Sequence, residues 1–337
     1  MKTAIIGVGR MGRRHIQTIR QLGLELVGIL DISRDSLKLA QDEQGLSDEL
    51  LFTDVDRLFS EATPECLIVA TTANSHCSLT CMAAKHRTKY VLVEKPMAVS
   101  LEECDRMIEV CKRHGTKLAV NHQMRFMPEY IEPKRLIDTE AFGGLKSMTV
   151  VAGNIGFSMN GTHYFEAFRF LTGEYPVEVT AWFSKELVLN PRGTRFQDRA
   201  GSLRAVTASG KRLYMEIGAD QGHGLRTTYA CRTGMITIDE AARELFSTER
   251  TEQNRQLPLT RVGMPGVNHQ RKFEFRGVVD TTADVITALL LDRNSVSGED
   301  GRSAIELLVG AYQSADLGGM PVRLDDKLDR SKKFPWA

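Results

Sequence analysis

Short uninterrupted apolar runs alternate with amphipathic stretches over the first 120 residues. Runs without polar alternation are typical of parallel strands covered on both faces. The predicted strands are residues 3–8, 25–30, 66–70, 90–94 and 117–120. The helices predicted between and after them are about 11–22, 35–42, 55–59, 75–85 and 101–114. We therefore expect a doubly wound parallel α/β domain over residues 1–120.

From about residue 121 the pattern changes to alternating apolar and polar positions, as in 212–217. Such alternation predicts an antiparallel sheet with one covered face. The predicted strands are 145–152, 177–188, 203–208, 212–219, 226–231 and 235–239, with helices at about 129–137, 161–171, 283–291 and 301–315. Residues 253–266 contain two prolines and little periodicity, which predicts a loop. Residues 121–337 are thus expected to form an α+β domain on a large open sheet, whose last helices are free to pack back on the first domain.

Composition narrows the class of protein. Of the 337 residues, 42% are hydrophobic and 26% are charged, which is the mixture of a globular protein. The net charge of +1 favours neither nucleic acid nor a membrane as partner. The apolar run at 4–8 meets glycines at once, so we expect no signal peptide or membrane span, and a cytoplasmic location. The six cysteines form no C-x-x-C pair, which predicts buried thiols and no metal site.

A glycine motif follows the first predicted strand and opens the first predicted helix. The residues are Gly7-Val8-Gly9-Arg10-Met11-Gly12, a G-x-G-x-x-G pattern. The first glycine permits the tight turn, the second lets the backbone approach a pyrophosphate, and the third allows close packing of helix and strand. The helix N-terminus offers free N–H groups to phosphate. This context predicts a Rossmann domain, with Arg10 and Met11 in the cofactor-binding loop.

An acid follows at the end of the second predicted strand. Asp31 lies 19 residues after Gly12, where a carboxylate accepts the ribose hydroxyls of NAD and repels a 2′-phosphate. Arg34 follows closely, and an arginine at this place accommodates NADP. We expect NAD as the cofactor, with NADP as the alternative.

Several further motifs make the chain similar to the glucose–fructose oxidoreductase/inositol dehydrogenase (Gfo/Idh/MocA) family. Glu94-Lys95-Pro96 ends the fourth predicted strand. The resemblance continues through Val69-Ala70-Thr71 with His76, Arg125-Phe126-Met127-Pro128, Gly161-Thr162-His163 and residues 297–301. The sequence departs from the family at Thr72-Ala73, where Pro-Asn is common, and at Glu166, where an aspartate is common.

The resemblance implies an NAD(P)-dependent oxidoreductase that acts on a sugar-type alcohol or ketone. It places Thr71, His76, Glu94 and Lys95 at the cofactor. Lys95 is expected to hydrogen-bond the reacting hydroxyl and to stabilise the developing alkoxide. His163 stands in the first turn of a predicted helix and is expected to act as general base or acid. Both are predicted catalytic residues.

Four further polar residues are predicted on the substrate side, and Lys95 is expected to contact substrate as well. They are Asn121, Arg125, Tyr164 and Glu166. Glu166 lies three residues after His163 on the same helix face, so it can orient the imidazole or hold the substrate. Arg125 and His122 also have a structural interpretation.

Two observations concern partners. Residues 185–232 contain nine lysines and arginines against four acids, which indicates either a solvated sheet face or a substrate with phosphate or carboxylate. The arginines 192, 195 and 199 fall in a loop-like stretch around Pro191.

The predicted sheet of the second domain also indicates self-association. Its strands contain the apolar residues Trp182, Leu213 and Met215, which indicate an apolar interface. The resemblance implies homodimers or homotetramers built on this sheet.

Three functions remain open at this point. The first is a dehydrogenase acting on a sugar, a cyclitol or a nucleotide sugar. The second is an NAD-assisted glycosidase of the same family, in which transient oxidation assists elimination. The third is a non-catalytic regulator that binds dinucleotide. The presence of Lys95 and His163 favours catalysis over the regulator.

Overall fold

The computed structural model describes residues 1–190, 192–258, 265–325 and 327–336, and the structural statements below concern these residues. They form two compact units. The first unit comprises Met1–Gln123, Gly277–Ile305 and Arg330–Ala337, and the second comprises Met124–Arg276 and Glu306–Asp329. Residues 277–305 therefore belong with the first unit by their contacts, although they follow most of the second in the chain.

The first unit is built on a six-stranded parallel sheet with the order β3-β2-β1-β4-β5-β6. The strands are β1 (Lys2–Ile6), β2 (Glu25–Leu30), β3 (Leu51–Phe52), β4 (Cys66–Val69), β5 (Tyr90–Val93) and β6 (Lys117–Val120). After β1 the chain builds one half of the sheet, and it returns on the other side with β4. This reversal creates a crevice at the carboxyl ends of β1 and β4. The predicted doubly wound sheet is confirmed, with the two-residue β3 added at its edge.

Helices cover this sheet. They are α1 (Arg10–Gln21), α2 (Arg34–Gln44), α3 (Val55–Arg57), α4 (Ala73–Lys85) and α5 (Leu101–His114). Local chemistry sets their ends. Ser100 accepts the N–H of Glu103 and caps α5, and Gly115, with φ +72°, ends it. The predicted helix at 55–59 is the single turn α3, which continues as a π-helical turn at Leu58–Ala62.

The second unit contains a nine-stranded sheet with the order β14-β13-β12-β11-β7-β10-β9-β8-β15. Two helices, α6 (Pro128–Ile137) and α7 (Thr162–Thr172), flank its first strand in the chain. The strands are β7 (Leu145–Gly153), β8 (Pro176–Leu187), β9 (Arg199–Thr207), β10 (Arg212–Gly218), β11 (Arg226–Cys231), β12 (Gly234–Asp239), β13 (Glu244–Arg250), β14 (Gly266–Lys272) and β15 (Val322–Arg323). Every described pairing is antiparallel except β7 with β10. The predicted mostly antiparallel sheet is confirmed.

Two long helices follow the sheet strands in the chain. They are α8 (Val278–Leu291) and α9 (Gly298–Asp316). Within the first unit α8 packs against α1, and the Thr18 hydroxyl donates to the carbonyl of Val279 at 3.3 Å. Among the described residues, no helix has the length and apolar character needed to cross a bilayer.

Strands β13 and β14 were not expected from the pattern. In β13 the inward positions include Ser247, while Phe246 is 41% exposed, so the usual apolar-in, polar-out alternation is broken. All seven residues of β14 are exposed and most are polar, as suits an edge strand. Part of the loop predicted at 253–266 is a short 3₁₀ turn at Glu252–Asn254, and residues 259–264 lie outside the described residues.

The predicted apolar outer face of the sheet is partly wrong. Leu213 and Met215 are 0% and 2% exposed, so both point into the core of the second unit. Trp182 on β8 is 59% exposed, and Met235 on β12 and Phe246 on β13 are also exposed. An alternating strand does not reveal which of its two faces is covered, so the sequence could not assign these side chains.

The thiols behave as predicted at five of six positions. Cys66, Cys77, Cys81, Cys104 and Cys111 are buried, all are free, and Cys231 is partly exposed. Burial raises the pKa of the Cys66 thiol to about 12, which keeps it protonated and unreactive.

Candidate functional site

The glycine loop joins β1 to α1 at the crevice of the parallel sheet. Gly7 has φ +92°, and a Cβ there would lie 2.7 Å from the carbonyl carbon of Ala70 and from the nitrogen of Thr71. A Cβ at Gly12 would lie 2.0 Å from the carbonyl oxygen of Gly7. Both positions therefore require glycine, the first for its backbone angle and for the close approach of the next strand, the second for helix packing.

The same loop has the features of a pyrophosphate site. Gly9 is the N-cap of α1 and offers no side-chain hydrogen bond to the first helical N–H groups. A Cβ built on Gly9 meets nothing within 4 Å, so open space lies over the helix N-terminus. Unsatisfied N–H groups beside open space fit a phosphate anion. Arg10 is exposed and Met11 is partly exposed in the first turn of this helix.

Asp31 follows β2 and binds the backbone of two neighbouring segments. Its Oδ2 accepts the N–H of Val8 at 2.9 Å, and its Oδ1 accepts the N–H of Ser33 at 2.9 Å. Ser33 in turn caps α2 by accepting the N–H of Ser36 at 3.2 Å. Each carboxylate oxygen has further lone pairs, so the partly exposed Asp31 can still accept ribose hydroxyls. Arg34 is the exposed first residue of α2.

His76 holds the end of β4 to the turn after Lys95. Its Nδ1 lies 3.0 Å from the carbonyl oxygen of Pro96, and its Nε2 lies 3.1 Å from that of Thr71. Burial lowers the pKa of His76, although these carbonyls act in the opposite direction. A neutral ring can donate only one of the two bonds. His76 is buried, so its role is to fix the two turns around the crevice.

Glu94 is the centre of a buried polar cluster at the carboxyl end of β5. Its Oε1 accepts hydrogen bonds from Nε2 of His15 and from Nδ2 of Asn121, each at 2.8 Å. Burial by itself would raise the pKa of this carboxyl, but the hydrogen bond and electrostatic interaction with His15, the hydrogen bond from Asn121 and the charge of Lys95 outweigh burial and lower the pKa to about 2. Asn121 is 0% exposed and its amide belongs to this cluster, while its place on the substrate side stays a prediction.

Lys95 directly follows Glu94 in the chain and lies at the crevice end of β5. Its backbone N–H donates to Oε2 of Glu94 at 3.3 Å, and its peptide bond to Pro96 is cis. The residue is partly exposed, whereas its neighbours Glu94 and Pro96 are buried. It thus stands at the carboxyl end of a central parallel strand, where sheets of this kind bind their ligands.

His163 lies in the first turn of α7, in the second unit. It is 5% exposed. The segment before it is a π-helical turn at Phe157–Gly161, and the buried Asp198 carboxylate accepts the N–H groups of Ser158 at 2.8 Å and Met159 at 2.9 Å. Burial raises the pKa of Asp198, and the two N–H groups oppose that effect. Asp198 therefore fixes the backbone that leads into His163.

Glu166 is paired with arginines. It is 1% exposed, its Oε1 accepts Nε of Arg125 at 2.9 Å, and Arg169 approaches the same oxygen to 3.6 Å. The Arg125 guanidinium also lies 5.0 Å from the ring centroid of Phe170. These contacts support the structural interpretation of Arg125, because a buried carboxylate needs such a partner.

Tyr164 points to an internal carboxylate. Its hydroxyl lies 3.3 Å from both oxygens of Glu240, and the Tyr130 hydroxyl donates to Oε1 of Glu240 at 2.7 Å. Burial raises the pKa of Glu240 to about 7, although the two tyrosine hydrogen bonds lower it. The Tyr164 hydroxyl is thus engaged inside the second unit, and its substrate contact stays a prediction.

The structure thus gathers part of the predicted site within the first unit. Gly7, Gly12 and Thr71 meet at the crevice, Asp31 holds Val8, and His76 reaches Pro96. Sequence reasoning did not find His15, although a polar residue on the apolar stripe of α1, three residues after Gly12, is a signal for it. It also did not find Asp198 or Glu240. Within the described ranges, no group of three or more His, Cys, Asp or Glu is arranged to hold a metal ion.

Comparison with known proteins agrees with this geometry. Residues 1–122 match the GFO_IDH_MocA model, described as an oxidoreductase family with an NAD-binding Rossmann fold. The myo-inositol 2-dehydrogenase of Thermotoga maritima is 26% identical over 196 residues, which are 54% of this chain and 58% of that protein. The 2,7-anhydro-N-acetylneuraminate hydratase of Mediterraneibacter gnavus is 29% identical over 206 residues, 53% of this chain and 52% of that one. These alignments span little more than half of the curated relatives.

Similarity of fold extends over nearly the whole chain. The crystal structure of an oxidoreductase from Agrobacterium radiobacter, in complex with NAD⁺, L-tartaric acid and magnesium, superposes with a TM-score of 0.79. It is 19% identical, and the superposition covers 96% of this chain and 98% of that one. The glycine loop, the Glu94-Lys95-Pro96 strand end and the match over residues 1–122 lead to one assignment. Residues 1–122 match the NAD-binding Rossmann domain of the Gfo/Idh/MocA oxidoreductase family.

Proposed function

We propose that this chain is an NAD-dependent dehydrogenase that oxidises a secondary alcohol of a sugar or cyclitol, or reduces the corresponding ketone. The observation that carries the proposal is the position of Lys95. It extends from the carboxyl end of β5, next to β4, in the same sheet whose crevice holds the glycine loop. A cation at that edge can meet a hydroxyl presented to a dinucleotide bound along the loop.

The cofactor is assigned to the first unit. The N-terminus of α1 at Gly9 and Arg10 would hold the pyrophosphate, and Asp31 would accept the ribose hydroxyls. NAD is favoured over NADP because the Asp31 carboxylate repels a 2′-phosphate, while the exposed Arg34 keeps NADP as the alternative. When bound there, the nicotinamide would supply the hydride chemistry.

Two side chains take the proposed chemical roles. The Lys95 ammonium donates a hydrogen bond to the reacting oxygen and stabilises the negative charge that develops there. A ring nitrogen of His163 takes the hydroxyl proton in oxidation and returns it in reduction. Asp198 keeps the turn before His163 in place, and Glu94 binds the peptide of Lys95. Thr71 and His76 shape the cofactor crevice of the first unit.

The substrate class follows from similarity and from charge. The relative from Thermotoga maritima is named for a cyclitol, which supports a polyol substrate. The basic surplus at 185–232 favours a sugar with a carboxylate or phosphate group, such as a sugar acid or a nucleotide sugar. Arg199 does not belong to a loop clamp, since it begins β9 and donates to the carbonyls of Ser184 and Lys185 at 3.4 Å. Arg192 and Arg195 remain in the loop.

A second candidate uses the same groups without net oxidation. The hydratase from Mediterraneibacter gnavus is named for addition of water, a reaction without net redox change. An NAD-assisted elimination or hydration at this site would need the same dinucleotide and proton-transfer groups as the dehydrogenase. A third candidate is a non-catalytic dinucleotide sensor, whose function would not require Lys95 or His163.

We further propose that the protein is cytoplasmic and assembles through the sheet of the second unit.

One experiment separates the three functions. Purified protein is incubated with NAD and a panel of sugars, cyclitols, sugar acids and nucleotide sugars, while NADH absorbance and substrate consumption are both followed. Stoichiometric NADH release supports the dehydrogenase. Substrate conversion without NADH release assigns the elimination or hydration reaction, and cofactor binding with no conversion assigns the sensor. Matched neutral and anionic sugars, compared at low and high salt, test the charge preference. If the neutral sugar of a pair has the higher kcat/KM and salt has no effect on either sugar, Arg192 and Arg195 belong to a solvated surface.

A further inference from the structure

The turn that follows Lys95 is buried although it has no regular secondary structure. Residues 94–100 join β5 to α5, and Met97, Ala98 and Val99 are 0%, 0% and 5% exposed. A buried backbone outside helices and sheets must find hydrogen-bond partners for its carbonyl groups in other segments. The conformation of this turn therefore depends on residues distant in the chain.

The first half of the turn is held by α4. Nδ1 of His76 lies 3.0 Å from the carbonyl oxygen of Pro96 and 3.2 Å from that of Met97. The next two carbonyls, those of Ala98 and Val99, accept their hydrogen bonds from another part of the first unit. Four consecutive carbonyls of the turn are thus bound from outside it.

The partner of the second half is the segment formed by residues 330–336. Nε1 of Trp336 donates to the carbonyl oxygen of Ala98 at 2.9 Å. The backbone N–H of Phe334 donates to the carbonyl oxygen of Val99 at 2.9 Å. Both side chains are buried, and their rings stack with the centroids 4.4 Å apart. The 330–336 segment therefore supplies both hydrogen bonds together with a buried aromatic pair.

Ion pairs join the same segment to α5, the helix into which the turn leads. Nη2 of Arg330 lies 2.5 Å from Oδ2 of Asp105, and Nζ of Lys333 lies 2.7 Å from Oε1 of Glu103. The carbonyl of Arg330 also accepts the N–H of Glu102 at 2.9 Å. Each partly exposed pair contributes little by itself, but the set fixes the segment along the first turns of α5.

We propose that Trp336 is a positioning residue for Lys95 and acts through the carbonyl of Ala98. The indole N–H fixes the turn that follows Lys95, and so it limits the position of the backbone from which the lysine side chain extends. Without this donor the buried Ala98 carbonyl loses a hydrogen bond, which favours rearrangement of the turn. A displacement of about 1 Å at a catalytic group can lower the rate about 100-fold, so a small shift reduces turnover.

This inference rests on the proposed function for the role of Lys95, whereas the restraint on the turn is measurable without any substrate. The test compares the wild type with Trp336→Phe, which removes the indole N–H and keeps a ring that can stack on Phe334. Backbone hydrogen–deuterium exchange is followed by mass spectrometry in peptides covering residues 94–104, with residues 2–12 as the internal reference.

We expect exchange at 94–104 to rise by about five-fold or more in Trp336→Phe, as loss of one buried hydrogen bond implies, and exchange at 2–12 to stay the same. For the substrate that the panel identifies, kcat should fall about 10-fold. The Kd for NADH should stay near the wild-type value, because the glycine loop and Asp31 are untouched. A purely structural role would lower stability without this selective loss of kcat.

The matched control is Phe59→Leu. Phe59 is buried, stacks on His86 with ring centroids 4.5 Å apart, and lies in a turn that packs against β2. This variant also weakens a buried aromatic stack of the first unit, but kcat and exchange at 94–104 should stay near the wild-type values. Unchanged exchange at 94–104 in Trp336→Phe would overturn the proposal, and so would raised exchange with an unchanged kcat.

A second variant serves if Trp336→Phe does not fold. Arg330→Ala removes a partly exposed ion pair that anchors the 330–336 segment and leaves both buried rings in place. Exchange at 94–104 should then rise, and kcat should fall, by about two-fold or more. Arg57→Ala, which removes a surface pair with Glu61 at 2.8 Å, should change neither quantity. Wild-type exchange and kcat in Arg330→Ala would overturn the proposal.

The two readouts separate this inference from the proposed function. If the wild type converts no compound of the panel while Trp336→Phe raises exchange at 94–104 alone, the dehydrogenase assignment fails and the restraint on the turn stands. If the wild type oxidises a polyol and Trp336→Phe changes neither exchange nor kcat, the dehydrogenase assignment stands and the positioning role of Trp336 fails.

Discussion

The carboxylate of Asp31 accepts the backbone N–H of Val8 at 2.9 Å, so the residue that follows β2 is hydrogen-bonded to the glycine loop after β1. Its second oxygen accepts the N–H of Ser33, which begins the turn into α2. One side chain therefore fixes the two segments between which an adenosine ribose would lie. A substitution at Asp31 should affect both recognition of the ribose and the shape of the loop.

We expect Asp31→Ala to weaken NADH binding by about 10–100-fold, because a charge-assisted hydrogen bond contributes about 1.5–3 kcal/mol. The loss for NADPH should be smaller, because the removed carboxylate also repels the 2′-phosphate. Dissociation constants for both nucleotides, measured by fluorescence titration of wild type and variant, check this. Asp35→Ala, on the exposed first turn of α2, is the control. Wild-type protein that binds NADPH as tightly as NADH would contradict the assignment of Asp31.

Lys95→Ala and His163→Ala should each reduce turnover about 10²–10⁴-fold while the Kd for NADH changes little. The two losses should not add in the double variant if both residues serve the same reacting oxygen. Steady-state kinetics on the substrate identified by the panel provide the measurement. Lys89→Ala and His114→Ala, at exposed positions of the same residue types, serve as controls. A variant of Lys95 or His163 with near-normal kcat has no part in the mechanism.

Stability should fall as the pH rises through the titration of Glu240. Its pKa in the folded protein is about 7, above the ordinary value of 4.5, because burial disfavours the charged form. Between these two values the folded state binds more protons than the unfolded state, so the free energy of unfolding decreases with increasing pH. The stabilisation from protonated Glu240 is complete at the acid end of this window and is lost as Glu240 ionises in the folded protein.

Glu240→Gln should remove that part of the pH dependence. The amide cannot ionise and can still accept from Tyr130 and Tyr164, so the variant should gain about 1–2 kcal/mol over wild type at alkaline pH, allowing for the partial exposure of the side chain. Thermal unfolding of both proteins at acid and alkaline pH measures this difference. Glu140→Gln, at an exposed position, is the control. If the free energy of unfolding changes with pH to the same extent in wild type and Glu240→Gln, the pKa of Glu240 is not raised in the folded protein.

The outer face of the nine-stranded sheet should mediate self-association. Trp182 on β8 is 59% exposed, and Met235 on β12 and Phe246 on β13 are 50% and 41% exposed. We expect these exposed apolar side chains to be part of an interface. Light scattering at micromolar concentration should show a dimer or tetramer. A charge at the face, as in Trp182→Glu or Phe246→Glu, should shift the mass towards the monomer, whereas Leu39→Glu on α2, with 46% exposure, should not. A monomeric wild type would count against the assembly.

Local signals in the sequence were enough for the first unit. Apolar runs without alternation predicted a parallel sheet, and glycines at positions 7, 9 and 12 predicted a dinucleotide loop, because a tight turn and a close helix tolerate no Cβ there. Those constraints act over a few residues, so they leave a local pattern. The same holds for the position of Asp31, which depends on the length of one strand-helix-strand unit.

Tertiary structure alone decided which polar groups meet. His15 lies 79 positions before Glu94 in the chain, and Asn121 lies 27 positions after it. No spacing rule relates residues so far apart. The sequence could not show that Tyr164 faces Glu240 or that Leu213 points inward, because a helix residue and an alternating strand each offer more than one partner face. The sequence by itself determined the parallel sheet and the cofactor loop, and it singled out Lys95 as the candidate catalytic lysine. The packing of distant segments determined which groups bind the buried Glu94 carboxylate, since burial forces each polar atom to find a partner wherever the fold supplies one.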